Sequence, residues 1–138
     1  MIFASKNSNS GPKIYPGKPW PIGSSLTSRG VNFSVAATNV QKLELLLFKN
    51  ENELSPELII PLGPNHCSGD YWHIEIEGLQ TGCCYGYRVQ KKYETQANKN
   101  NYSKKVLLDP CARSIGGWSV YNRAATQKAS DNINSCLK

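Results

Sequence analysis

Two glutamates two residues apart, Glu75 and Glu77, are the first pair in this 138-residue sequence whose type and spacing could do chemistry. Glycoside hydrolysis needs two carboxyl groups roughly 5–10 Å apart, and alternate residues of one strand can meet that spacing. The surrounding YWHIEIEGL places them on a polar face with His73, with no apolar pocket to raise a carboxyl pKa. A solvated sheet face is the expectation there. His66 and His73 are the only imidazoles. No serine sits in a strand-to-helix elbow beside either, so a hydrolytic triad is not indicated, and both histidines read as surface or rim residues. The five cysteines are Cys67, Cys83, Cys84, Cys111 and Cys136. Cys83 and Cys84 are adjacent, so on a strand they point to opposite faces, and there is no C-x-x-C. The pattern argues against zinc and for free thiols in a reducing compartment, the cytoplasm or a plastid stroma. The glycines are dispersed and form no phosphate loop. No catalytic residue, metal ligand or cofactor is expected.

The aromatic residues offer the remaining chemistry. A sugar presents its C–H face to an aromatic ring while polar side chains meet its hydroxyls. Trp20, Tyr71, Trp72 and Trp118 are the candidates for such contacts, with Tyr93 and Tyr102 in a polar loop. Trp72 alternates with Ile74 and Ile76, which favours the core; Tyr71 has the opposite orientation.

Strands must position these residues. Val31, Phe33 and Val35 alternate with Asn32 and Ser34 in GVNFSVAA (30–37), a half-buried strand. Leu43, Leu45 and Leu47 share one face of QKLELLLF (41–48). ELIIPL (57–62) is shorter and ends at Pro61 and the Gly63-Pro64 turn. YWHIEIEGL (71–79) is the clearest strand, and CCYGYRVQKK (83–92) sets Tyr85, Tyr87 and Val89 on one face. Residues 93–103 form an Asn-rich loop, and KKVLLDP (104–110) is a last short extended element. No window of eleven or more residues holds a capped 3.6-residue period. Short strands at 8–14-residue spacing predict an all-β, immunoglobulin-like sandwich of two antiparallel sheets.

Before the strands, residues 1–29 read as an irregular lead-in whose prolines exclude regular pairing, with Trp20 and Ile22 pinning it to the core. The domain division is a flexible 1–13, a sandwich over 14–117 and a polar tail over 118–138, whose residues 124–138 are disordered or a helix that cannot stand alone. One core suffices at this length. Net charge is +6, with seven basic and seven acidic residues in 1–88 but nine basic and three acidic in 89–138. The excess is scattered through polar sequence and reads as a solvated end, not a nucleic-acid face. No stretch is apolar enough for a signal h-region or a membrane span.

Five pieces recur in an order that resembles a known family: P-x-G-S-x at 21–25, GVNFSV at 30–35, GDYWH at 69–73, YGYRV at 85–89 and KVLLDP at 105–110. Over roughly residues 14–117 the sequence resembles the N-terminal domain of the isoamylase and glycogen-debranching branch of the α-amylase superfamily, a family-48 carbohydrate-binding module. The resemblance implies an immunoglobulin-like sandwich. It also implies α-1,6 hydrolysis by a separate barrel whose catalytic carboxylates have no counterpart here. Expected partners are an α-glucan (glycogen or amylopectin), a catalytic-barrel protein or a second copy of the chain. Pro21, Ile22, Leu107, Leu108, Asp109 and Pro110 are the expected domain-contact residues. The sequence departs from the family at Cys111, where a tyrosine commonly follows the LLDP motif, and at Cys83 and Cys84 before YGYR. NKNNYSKK (98–105) also stands in place of a glycine- and phenylalanine-containing stretch. After Gly117 the similarity stops.

Overall fold

The computed structural model of the chain describes residues 11–92, 104–128 and 131–138. Eight strands run β1 Ile14–Tyr15, β2 Gly23–Leu26, β3 Gly30–Ala36, β4 Val40–Phe48, β5 Leu58–Leu62, β6 Cys67–Ser68, β7 Tyr71–Glu77 and β8 Cys84–Lys91. Among the described residues a 3-10 turn also covers Pro64–His66, and a short helix, α1, covers Arg123–Lys128. The first sheet has the order β1-β7-β3-β2, with β6 also on β7; the second is β5-β4-β8. All strand pairs are antiparallel. The fold is the expected predominantly β sandwich.

The pleat explains the inner core. Phe33 and Val35 from β3, and Ile74 and Ile76 from β7, face Leu43, Leu45 and Leu47 from β4, Ile60 and Leu62 from β5, and Tyr87 from β8. The register pairs Phe33 with Ile74 and Leu45 with Tyr87, so each layer meets side chains of the same phase. The rings of Phe33 and Tyr85 meet edge to face across the two sheets at 4.9 Å, a favoured aromatic geometry.

Both outer faces are covered over their central strands, which the alternating pattern did not anticipate. On the first sheet Asn32, Ser34, His73 and Glu75 are buried, where a solvated face was expected for Glu75 and a surface position for His73. The reason is the lead-in. It pairs through Ile14 and Tyr15 with Ile76 and Glu75, then climbs onto the sheet face at Gly17. A Cβ at Gly17 would lie 2.8 Å from the Glu75 amide nitrogen, and its φ is +72°; both favour glycine. The prolines at 16, 19 and 21 forbid pairing only at themselves, so β1 and β2 form on either side of them within the segment expected to be irregular.

On the second sheet Leu46 and Phe48 point outward and are fully buried, beneath Val106 and Cys136. Asn132 fastens this cover. Its amide accepts from the Val106 N–H at 2.6 Å and donates to the Val106 carbonyl at 3.0 Å. Gly116 and Lys138 exchange two backbone hydrogen bonds. Residues 131–138, expected as a polar tail, therefore lie against the sheet, with Asn132, Cys136 and Lys138 buried. KKVLLDP makes only one bridge, in which Leu107 and Tyr87 exchange both backbone hydrogen bonds, while the neighbouring Val106 turns its backbone groups the other way, to Asn132. The loop expected at 93–103 lies outside the described residues, and so does most of the flexible 1–13.

Candidate functional site

The four aromatic candidates do not converge. Trp20 directly follows the covering segment of the first sheet and is 68% exposed, so it does not pin the lead-in to the core as expected. Backbone contacts hold that segment: the Ser34 hydroxyl donates to the Pro19 carbonyl at 2.7 Å, and Asn32 binds both backbone groups of Lys18. Tyr71 lies at the end of β7 opposite Ala36 and Ser68 and is exposed. Trp72 is half-buried against the inner core. Trp118 is 64% exposed and meets the Tyr121 ring edge to face at 6.0 Å. It follows Gly117, which sits against Glu51 and Leu137 on the side of the second sheet's cover. The loop tyrosines Tyr93 and Tyr102 lie outside the described residues.

The domain-contact candidates divide. Leu107, Leu108 and Pro110 line an open cleft of about 460 Å³ with Val35, Leu43 and Val89. Pro21 is exposed and Ile22 half-buried. Asp109 is 2% exposed, and its carboxylate accepts from the Tyr85 hydroxyl at 2.7 Å and the Cys111 amide at 2.8 Å. That carboxylate closes the seam between β8 and the following chain. Burial, then the Asp109 hydrogen bond, pushes the Tyr85 phenol up. Burial does the same to Tyr87, whose hydroxyl has no partner among the described residues.

The titratable groups that could do chemistry are occupied in holding the fold. Glu75 accepts from the Thr27 hydroxyl at 2.6 Å and from Arg29 at 2.9 Å. The Thr27 hydrogen bond, seconded by the Arg29 guanidinium, holds its carboxyl below its ordinary value, the opposite of what a general acid needs. Glu77 accepts from the Tyr15 hydroxyl at 2.8 Å. His73 lies between the Pro16 carbonyl at 2.7 Å and the Ser68 hydroxyl at 2.8 Å. Cys83 packs on the inner core and Cys84 on the outer cluster. Burial raises the thiols of Cys83, Cys84 and Cys136, which suppresses the thiolate needed for nucleophilic or ligand roles. Among the described residues no three His, Cys, Asp or Glu side chains group as a metal site.

Residues 21–112 match the family described as carbohydrate-binding module 48, the isoamylase N-terminal domain. The chain belongs to that family. The module is 35% identical over 108 residues to the glycogen debranching enzyme of Dickeya chrysanthemi, covering 78% of this chain and 16% of the relative. It is 36% identical over 108 residues to that of Pectobacterium carotovorum, with the same coverage. The chain thus spans about a sixth of the length of these curated relatives. Among solved structures, the catalytic module of the glycogen-degrading pneumococcal virulence factor SpuA superposes with a TM-score of 0.58 at 17% identity, over 89% of this chain and 16% of that one. The pullulanase of Bacillus acidopullulyticus gives 0.53 at 22% identity, over 70% and 10%. At such identities the likeness shows the fold alone. The match stops at residue 112, so Trp118 and the cover at 131–138 lie beyond the matched region.

Proposed function

We propose that this module is a non-catalytic, α-glucan-associated domain whose ligand is glycogen or amylopectin. The observation that carries the reading is the family match over residues 21–112. The exposed indoles of Trp20 and Trp118 fit it, since a flat amphipathic ring meets both the apolar face of a glucose unit and its hydroxyls. In a protein of the debranching branch, α-1,6 hydrolysis belongs to a separate barrel. The module would serve that barrel by holding polymer near it, raising its effective concentration.

A second reading, a structural or protein-interaction domain without glucan affinity, is favoured by the cleft that Leu107, Leu108 and Pro110 line. Its partner would be a catalytic-barrel protein or a second copy of the chain. Five free thiols support a reducing compartment, the cytoplasm or a plastid stroma. Among the described residues no helix is long and apolar enough to cross a membrane.

Native electrophoresis of the purified chain, in gels with and without glycogen or amylopectin, separates the two readings. Retardation by polysaccharide, reduced by Trp20→Ala or Trp118→Ala, is the expected result. Unchanged mobility at saturating polysaccharide overturns the glucan reading and leaves the structural one.

A further inference from the structure

We infer that Asn32 and Ser34 are positioning residues for Trp20, and that the outer face of the first sheet serves to hold that indole ready for a sugar ring. The inference rests on the glucan reading above and adds which residues set the contact.

The argument begins with the backbone of residues 16–19. The Pro16 carbonyl meets His73 Nδ1 at 2.7 Å. The Lys18 amide donates to Asn32 Oδ1 at 2.8 Å, and the Lys18 carbonyl accepts from Asn32 Nδ2 at 3.0 Å. The Pro19 carbonyl accepts from Ser34 Oγ at 2.7 Å. Asn32, Ser34 and His73 are 4%, 0% and 5% exposed, so the segment covers the side chains that grip it. Pro16 and Pro19 have fixed φ and no N–H to misdirect. Both backbone groups of Lys18 are bound. The next residue is a tryptophan, and it is 68% exposed.

A large apolar side chain thus stands in solvent at the end of a firmly held segment, where a ligand can reach its face. Burying it would have been the simpler use of the residue. A tryptophan has only two side-chain torsions, and its backbone here is already ordered, so little freedom is lost when a ligand settles on it. Loosening the grip should weaken binding without touching any atom of the sugar contact.

The test measures glycogen affinity from gel retardation for the unsubstituted chain, Trp20→Ala, Asn32→Ala, Ser34→Ala, and the doubles Trp20→Ala/Ser34→Ala and Trp118→Ala/Ser34→Ala. Amide exchange at Lys18 and 15N relaxation of the Trp20 indole report the loosening directly. Asn32→Ala and Ser34→Ala should each speed Lys18 exchange and weaken binding about five- to tenfold. Ser34→Ala should add nothing in the Trp20→Ala background but act in full in the Trp118→Ala background, a pattern that general destabilisation does not produce. Affinity unchanged in both single variants despite faster Lys18 exchange overturns the inference; if either fails to fold, the other decides. Affinity unchanged by Trp20→Ala sinks the inference alone. No retardation of the unsubstituted chain sinks the glucan reading and the inference with it.

Discussion

Replacing Asn132 by alanine tests whether residues 131–138 are part of the folded unit. The Asn132 side chain is 4% exposed and makes both of its hydrogen bonds to one peptide partner, the Val106 N–H at 2.6 Å and the Val106 carbonyl at 3.0 Å. Val106 is itself 4% exposed, so alanine leaves a buried donor and a buried acceptor without partners. Each such group costs about 1–3 kcal/mol, and partial relaxation toward water brings the pair to about 2–4 kcal/mol. For a domain of this size 1 kcal/mol shifts the melting temperature by about 4 °C, so the fall should be roughly 8–16 °C. The assay is thermal denaturation followed by circular dichroism, with the exposed neighbour Asn134→Ala as the control that should stay within about 2 °C. Amide exchange at Val106 should accelerate in parallel. A fall of less than 1 °C for Asn132→Ala would show that the segment does not cover the second sheet in solution, and the outward burial of Leu46 and Phe48 would need another explanation.

Two further outcomes follow from the seam and the first sheet. Tyr85→Phe removes the hydroxyl that donates to the Asp109 carboxylate and should cost about 1.5–3 kcal/mol in urea denaturation, the range for a hydrogen bond to a charged group. Tyr71→Phe, at an exposed position, should change nothing, and equal effects of the two would refute the staple. Glu75→Gln should flatten the acid limb of the stability curve. A carboxylate held below its ordinary value contributes stability that is full above about pH 5 and is lost as pH falls through its folded value; Thr27 first, then Arg29, hold it there. Melting temperatures at pH 7 and pH 3.5 should therefore differ less in Glu75→Gln than in the unsubstituted chain.

The inner core was legible because it is written in period two. Phe33 and Val35, Leu43, Leu45 and Leu47, and Ile74 and Ile76 were assigned to inward faces, and all are buried there. What covers the outer faces was not legible, for two different reasons. On the second sheet a signal was present: LELLLF breaks alternation, and a short continuous apolar run marks a strand buried on both sides. Leu46 and Phe48 are that break. On the first sheet there was none. Asn32, Ser34, His73 and Glu75 are polar because they bind a backbone and its flanking side chains, and a polar residue facing water has the same letters. The covers themselves resist pattern reading as well. One is a proline-rich segment held through carbonyls, and the other is fastened by one asparagine amide with Cys136 as its buried apolar contact.

The covers also decide how the aromatic candidates can be used. Glycan platforms are commonly imagined on an open sheet face, yet here the chain itself covers the middle of each sheet's outer face and leaves Ile59 on β5 43% exposed. Trp20 is carried by the cover of the first sheet, and Trp118 stands beside the segment that closes the second, near Gly117 and Leu137. The two indoles therefore stand beside the covers of different sheets. Trp72, packed on the inner core, joins neither. If both Trp20 and Trp118 contact glucan, each alanine variant should weaken binding and the double variant should weaken it more than either. If only one does, the other variant leaves affinity unchanged, and the side of the sandwich that faces the polymer is fixed by that single result.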